Sequence, residues 1–325
     1  MTLPVPISLK CPCCKTKFEG LDVMISSTFG SSTDLRQISG GSDPIYMIIH
    51  TCPSCGYTGY NDAFKRKRID PTLKERISKE ITPLMKDFNV RPEWPYEYAA
   101  PERQYEFAAW IAEWKRGSLQ SIGDLYLRSA WCCNDFNKPR KERFYRLKAL
   151  EFFEKAMELK EISARDAGLY TYLIGELHRR VGEIGAASVW FDRVAEATKG
   201  DPKQRWLEGL AFQQKTDPKE LIGPGKLLPP PPNGYKWCAR CFKKVKIQHL
   251  LEGYGPGCWS KITHGSEFID WLEQPTITDR GLAAFSLNAI TNQMKVTYDP
   301  SIVSIPDIET AVKKAGVTAI PVKSK

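Results

Sequence analysis

The sequence predicts a multidomain α+β protein with a small β head, an all-helical body and a C-terminal α+β unit. Three observations predict it. Two C-x2-C pairs lie near the amino terminus among β-branched and aromatic stretches, an apolar period near 3.6 runs from Pro101 to about Thr216, and residues 281–322 read strand, strand, helix, strand. A chain of 325 residues is too long for one ordinary core, which fits two or three compact units. The expected boundaries are a head over 1–62, a helical body over 63–216, a proline-rich linker over 217–236 and a cysteine-containing C-terminal unit over 237–325.

Hydrophobic residues at 42% and charged residues at 26% match soluble globular protein, and no apolar run approaches the roughly 18 residues of a membrane span. The opening "MTLPVPISLKCPCC" lacks the basic and apolar regions of a secretory signal, so the cytoplasm is the expected compartment. In that reducing setting the ten cysteines read as metal ligands or redox thiols, not disulfides. A net charge of +9 spread over this length argues only weakly for nucleic acid.

Cys11 and Cys14 in "KCPCCKTKF" and Cys52 and Cys55 in "TCPSCGYTGY" are the strongest chemical signal. Each short turn presents two sulfurs on one side of the backbone, so two turns can bring four thiolates tetrahedrally onto Zn²⁺. Gly56 suits the tight turn that aims backbone N–H groups at the sulfurs. The interval between the pairs exceeds the about 15 to 20 residues of a compact ribbon, so an inserted hairpin or loop is expected. "GLDVMISSTFG" and "PIYMIIHTC" supply its strands and "SGGSDP" its turn. A redox centre needs only one pair, which favours structural zinc over a catalytic C-x-x-C or simple burial. Cys13 is then a spare thiol, and His50 a strand residue beside the site. Four cysteines leave no open coordination position, so such a site braces the fold and does not catalyse.

In the body, "QYEFAAWIAEW" sets Phe107, Trp110, Ile111 and Trp114 on one helix face, and similar faces recur to "PKQRWLEGLAFQQ". Ile174, Gly175, Gly182, Ala187 and Phe191 in one helix pair resemble a tetratricopeptide repeat, as do Ile122, Gly123, Tyr126, Ala149, Phe153 and Ala156 in another. The resemblance implies small residues where helices cross closely and a groove for a protein or peptide partner. The turn "CCNDFNKPRKERF" reads as longer than such a repeat allows. Of Cys132 and Cys133, one is expected in the core and one at its edge, and His178 is expected as a packing residue.

"CPCC" with "CPSCGYTGYNDAF" and then "YLIGELHRRVGEIGAASVWFDRV" resembles the bacterial family catalogued as domain of unknown function 2225, over roughly residues 8 to 215. The resemblance implies a zinc-ribbon-like head on a tetratricopeptide-like body, zinc on Cys11, Cys14, Cys52 and Cys55, and no established activity.

Prolines at 218, 224 and 229 to 232 read as a stiff spacer. After it, Cys238 and Cys241 form a third C-x2-C pair, followed by Cys258 and His264; with His249 as rival for the fourth place, these make a candidate second metal site. "LAAFSLN" and "QMKVTYD" read as strands, "SIPDIETAVKKAG" as a helix from Ser304 to Gly316, and "VTAIPV" as a last strand. Residues 281–322 resemble the ferredoxin-like heavy-metal-associated domain of copper chaperones and metal-pumping ATPases. That family implies copper or another soft ion on a cysteine pair. Counted without gaps, Gly265 and Phe268 stand at its cysteine positions; an insertion of about 27 residues would place Cys238 and Cys241 there instead.

The expectation is a non-enzymatic metal-binding adaptor, with zinc in the head and a second, softer metal in the tail. One alternative is a nucleic-acid-binding regulator using the head and the basic run "FKRKR" at residues 64 to 68; another is a heavy-metal carrier using Cys238 and Cys241. No nucleophile motif, phosphate-cradling glycine loop or H-E-x-x-H helix supports an enzyme.

Overall fold

The computed structural model describes residues 3–25, 28–39, 43–87, 100–223, 226–229, 231–232, 234–238, 243–249, 282–288 and 293–298. Within them the protein is a mixed α+β fold, with a small β region at the amino terminus, a helical body, and short strands after it.

The head is built from hairpins. Strand β1 (Leu3–Lys10) pairs antiparallel with β2 (Lys17–Ile25), β3 (Thr28–Ser32) with β4 (Gln37–Ser39), and β5 (Ile49–Thr51) with β6 (Thr58–Tyr60). "PIY", expected as strand, is a single 3₁₀ turn at Pro44–Tyr46. Asp43 caps it through a hydrogen bond from the Ile45 N–H, and Pro44 at its first position fits the turn. Short helices α1 (Asn61–Phe64) and α2 (Pro71–Arg76) follow, with one further turn at Ile77–Ile81 and another at Thr82–Asp87.

Six helices form the body: α3 (Pro101–Trp114), α4 (Leu119–Asp135), α5 (Pro139–Glu158), α6 (Ala167–Arg180), α7 (Ile184–Thr198) and α8 (Trp206–Thr216), each packed on the next. The α4–α5 turn expected to be long is only residues 136–138. It reads as longer in the sequence because the first turns of α5, "PRKER", face solvent and show no apolar period. Helices α3 to α6 all stop alike. Arg116, Asn137, Lys160 and Gly182 take left-handed φ of 53°, 53°, 56° and 87°, and the next N–H donates to a carbonyl five residues back.

The α4–α5 and α6–α7 pairs share a crossing device. A Cβ on Gly123 would lie 2.5 Å from Cε1 of the buried Phe153 ring, and one on Gly175 would lie 2.8 Å from Cδ1 of Phe191. The missing side chain lets an aromatic ring from the next helix lie against the backbone. Cys132 and Cys133 are both fully buried in the body core, not one inside and one at its edge. Burial raises both thiols, Cys133 to about 12. His178 does more than pack: its Nδ1 lies 2.8 Å from Glu183 Oε2 and its Nε2 2.9 Å from Glu154 Oε1, tying α5, α6 and the start of α7 together.

Head and body are joined in several places. Helix α3 is shared, with Tyr105, Ala108 and Ala109 in the body core and Phe107 and Ile111 in the core around the head cysteines. The β3–β4 turn inserts Asp34 into the body, where Arg146 Nη1 donates to it at 2.7 Å, Trp131 Nε1 at 2.9 Å, and Arg180 Nε lies 3.8 Å away. Residues 221–223 and 226–228, expected as spacer, instead pair as strands β7 (Leu221–Gly223) and β8 (Lys226–Leu228). Strand β7 pairs with β3, giving a four-stranded sheet in the order β4-β3-β7-β8. Buried Leu221 and Leu228 explain why this stretch folds, and the proline run comes only after it.

Farther on, β9 (Tyr235–Trp237) pairs with β10 (Lys244–Lys246), and β11 (Leu282–Asn288) pairs with β12 (Gln293–Tyr298) at the two expected strands. The expected helix from Ser304 and the last strand lie outside the described residues.

Two outcomes test this packing. Gly123→Ala should lower stability by about 1–3 kcal/mol, since the ring must move, whereas Gly209→Ala in α8, which has open space around it, should raise stability by about 0.5–1 kcal/mol; denaturant titration of the two reads the contrast. Burial opposes ionisation of Asp34, but the Arg180 and Arg146 guanidiniums and hydrogen bonds from Ser32 and Arg146 outweigh it and hold the carboxyl well below the usual range. Asp34→Asn should therefore cost about 3–5 kcal/mol near neutral pH. Because the folded pKa is depressed, that stabilisation is full above the unfolded value and falls with pH below about 4, so the gap between variant and parent should narrow there.

Candidate metal centre

The β1–β2 and β5–β6 hairpins are closed by the same device. The last pair before the first turn is Lys10 with Lys17 and before the second is Thr51 with Thr58, so six residues bulge out between them in each. The Cys11 N–H donates to Thr16 O at 2.9 Å and the Cys52 N–H to Tyr57 O at 2.9 Å; within each loop, Lys15 N–H donates to Cys11 O and Gly56 N–H to Cys52 O. The reversal needs a left-handed residue after the second cysteine, supplied by Lys15 at φ 68° and Gly56 at φ 77°. At Gly56 space also matters, because a Cβ there would lie 2.4 Å from Ile81 Cγ2.

These two knuckles face each other. The sulfurs of Cys11, Cys14, Cys52 and Cys55 all lie within 4.8 Å of one another, with Cys11 to Cys55 at 3.6 Å and Cys14 to Cys52 at 3.5 Å. Four Zn–S bonds of about 2.3 Å in a tetrahedron give sulfur separations of about 3.8 Å, so these thiols fit one ion with little adjustment. The group is the one metal-competent cluster among the described residues. Cys11 and Cys52 are fully buried, and Cys14 is on the solvent side.

Electrostatics within the cluster favour a cation. Hydrogen bonds from Cys52 and Cys55 pull the Cys11 thiol down to about 2, while the same bonds push Cys52 up to about 12 and Cys55 higher still. Thiols this close oppose one another's ionisation, and a divalent ion removes that opposition. Backbone N–H groups of Cys13 and Cys14 point at the Cys11 sulfur, those of Ser54 and Cys55 at the Cys52 sulfur, and that of Tyr57 at Cys55.

The surroundings brace the knuckles. Thr16 Oγ1 donates to Ser54 Oγ at 3.1 Å across the pair, Lys15 Nζ to Lys67 O at 2.8 Å, and Thr82 Oγ1 to Cys55 O at 2.9 Å. Phe64 sits beneath, edge-on to Phe18 and Tyr57 with both centroids at 5.4 Å. None of these supports had a spacing signal in the sequence. Cys13 is buried beside Cys55, and hydrogen bonding with Cys55 lowers its thiol, but it is outside the group of four. His50 lies in β5 with its ring against Phe64, outside the group too; burial pushes its imidazole down to about 4.

Of the second set, Cys238 is described and fully buried. Cys241, Cys258 and His264 lie outside the described residues, as do Gly265 and Phe268 and the side chain of His249.

Fold and site together define a mixed α+β protein in which a four-cysteine centre able to hold a metal is packed against a body of helical hairpins. The family described as "Uncharacterized protein conserved in bacteria (DUF2225)" matches residues 7–217, the stretch that spans both, and the chain belongs to this family. No curated protein and no solved structure matches the chain. No helix among the described residues is long and apolar enough to cross a membrane.

Proposed function

We propose that this protein is a non-enzymatic, zinc-binding adaptor. Its head is a zinc-ribbon-like unit in which Cys11, Cys14, Cys52 and Cys55 hold one structural Zn²⁺, and its body carries two tetratricopeptide-like helix pairs that receive a protein or peptide partner. The observation that carries the metal half is the convergence of the four sulfurs on two backbone-locked knuckles. All-thiolate donors favour a thiophilic ion, and a fourfold-closed site in the core shared with α3 suits bracing, not turnover. The Gly123–Phe153 and Gly175–Phe191 crossings support the repeat-like reading of the body.

Part of the helical groove is taken by the chain itself, since the β3–β4 turn covers Trp131, Arg146 and Arg180. That leaves α7 and α8, with exposed Ile184, Val189, Trp206 and Phe212, as the open side of the adaptor surface.

Purified full-length protein should retain zinc at the head, and Cys11→Ser or Cys55→Ser should remove one equivalent per chain and unfold the β hairpins, read by elemental analysis and amide exchange. Absence of metal from the folded parent protein would sink the reading.

One observation favours a second reading, nucleic-acid binding: Lys65, Arg66, Lys67 and Arg68 are exposed next to the first knuckle, where Lys15 contacts the Lys67 carbonyl. It requires affinity for an oligonucleotide that falls steeply between two salt concentrations and weakens when these four residues are made neutral. The adaptor reading expects no such binding.

A further inference from the structure

The basic run at residues 65–68 does not stand alone on its surface. Lys15, which follows Cys14 in the first knuckle, donates to the Lys67 carbonyl at 2.8 Å and holds the run against the head. On the other flank, α3 is followed by Lys115 and Arg116, both exposed. Partial desolvation and then the neighbouring charge of Arg66 hold the Lys115 ammonium below the usual lysine range, so the run and the end of α3 share one face. Helix α3 serves both cores, and this face therefore crosses the junction of head and body.

A run of like charge is ordinarily a solvated face, so charge alone does not select a partner. What surrounds this run selects one. Of the acids from 62 to 80, Asp62 lies 2.7 Å from Lys65, Glu80 lies 2.8 Å from Arg76, and Asp70 caps α2, which leaves Glu75 to balance the rest. Arg66, Lys67, Arg68, Lys115 and Arg116 have no carboxylate at ion-pair distance among the described residues.

The fold also supplies an aromatic that the run itself lacks. Trp114, next to Lys115, is half-buried against the head cluster, with the Trp110 ring 6.4 Å away. Arg76 lies over the Trp114 ring, its guanidinium carbon 4.7 Å from the centroid, and the Arg76 side chain is exposed. An indole topped by an exposed guanidinium is a platform on which an unpaired base can stack. A duplex keeps its bases inside, and an acidic peptide carries no such ring.

We propose that residues 66 to 68, Lys115 and Arg116 take the phosphates of a single-stranded nucleic acid and that the Arg76–Trp114 stack takes one of its bases. The proposal rests on the second reading above, nucleic-acid binding, and adds to it the α3 half of the surface and the strandedness of the ligand.

Full-length protein should bind a labelled single-stranded oligonucleotide more tightly than the matching duplex, read by fluorescence anisotropy. Lys115→Gln combined with Arg116→Gln should weaken both and reduce the slope of log K against log salt by about 1.4 on the single strand, two contacts at about 0.7 each. Trp114→Leu should cut the ratio of single-strand to duplex affinity by on the order of tenfold. Arg76→Leu, which alters only the solvent side of the stack, should cut the same ratio even if the Trp114 variant loses the parental circular dichroism. If the double variant at 115 and 116 binds like the parent while neutral residues at 65–68 weaken binding, the α3 half is overturned and the second reading stands. A ratio unchanged in Arg76→Leu overturns the stacking platform and the single-strand assignment. A parent with no affinity for either oligonucleotide removes the second reading and the proposal with it. Displacement by poly-glutamate as effective, charge for charge, as by unlabelled oligonucleotide overturns the proposal and assigns the face to an acidic protein.

Discussion

A single carboxylate, Asp34, lies between the guanidiniums of Arg146 and Arg180 with almost no access to water. Among the described residues it is the one carboxylate that reaches both; without it Arg146 keeps Glu142 and Arg180 keeps Glu176 and Glu220, but the buried pair between Arg146 and Asp34 is broken, so the β3–β4 turn cannot leave the body without an electrostatic cost. Glu176, fully buried beside Arg179 and Arg180, shares the load, and Thr33 and Gln214 hydrogen-bond to it. Everything around this cluster takes its position from it. Strand β3 is fixed in place to receive β7, and Arg36 reaches Asp43 and Asp135 at 2.6 and 2.7 Å, which locks the segment leading to the second knuckle against α4.

Parts of this architecture were legible in the sequence because they depend on spacing. The four cysteines, the helical run from Pro101, the Gly–Phe crossings and the strands at 282–288 and 293–298 all follow from local period or from residue types with few other uses. Other parts depend on partners far along the chain. Nothing near Asp34 announces that its counterions lie more than a hundred residues away, and an acidic residue in a turn is ordinarily solvated. The stretch 221–228 shows no strand alternation, since its pairing is decided by β3. Helix ends at Arg116, Asn137 and Lys160 carry no glycine, so the left-handed stop was visible only at Gly182.

The candidate centre shows the same division. Which cysteines converge could be read from two C-x2-C words, but what steadies them could not. Lys15 takes a backbone conformation that usually calls for glycine, and Thr16, Ser54 and Thr82 brace the loops through hydroxyls that are among the commonest surface groups. The apolar wall of the site comes from α3, which begins past residue 100 and lends Phe107 and Ile111 to the head while Tyr105, Ala108 and Ala109 face the body. The head's hydrophobic cluster accordingly continues through Phe64, Leu73, Ile77 and Ile81.

The pairing of β3 with β7 also sets an order of events during synthesis. Strand β3 emerges early, yet its partner edge at Leu221 and Ile222 and the Arg180 that neutralises Asp34 come from the far end of the helical body. Until that stretch has left the ribosome, β3 presents an unpaired edge and Asp34 stays in water. The amino-terminal head is therefore among the first parts made and among the last completed, and a chain truncated within α6 would expose that edge to other chains.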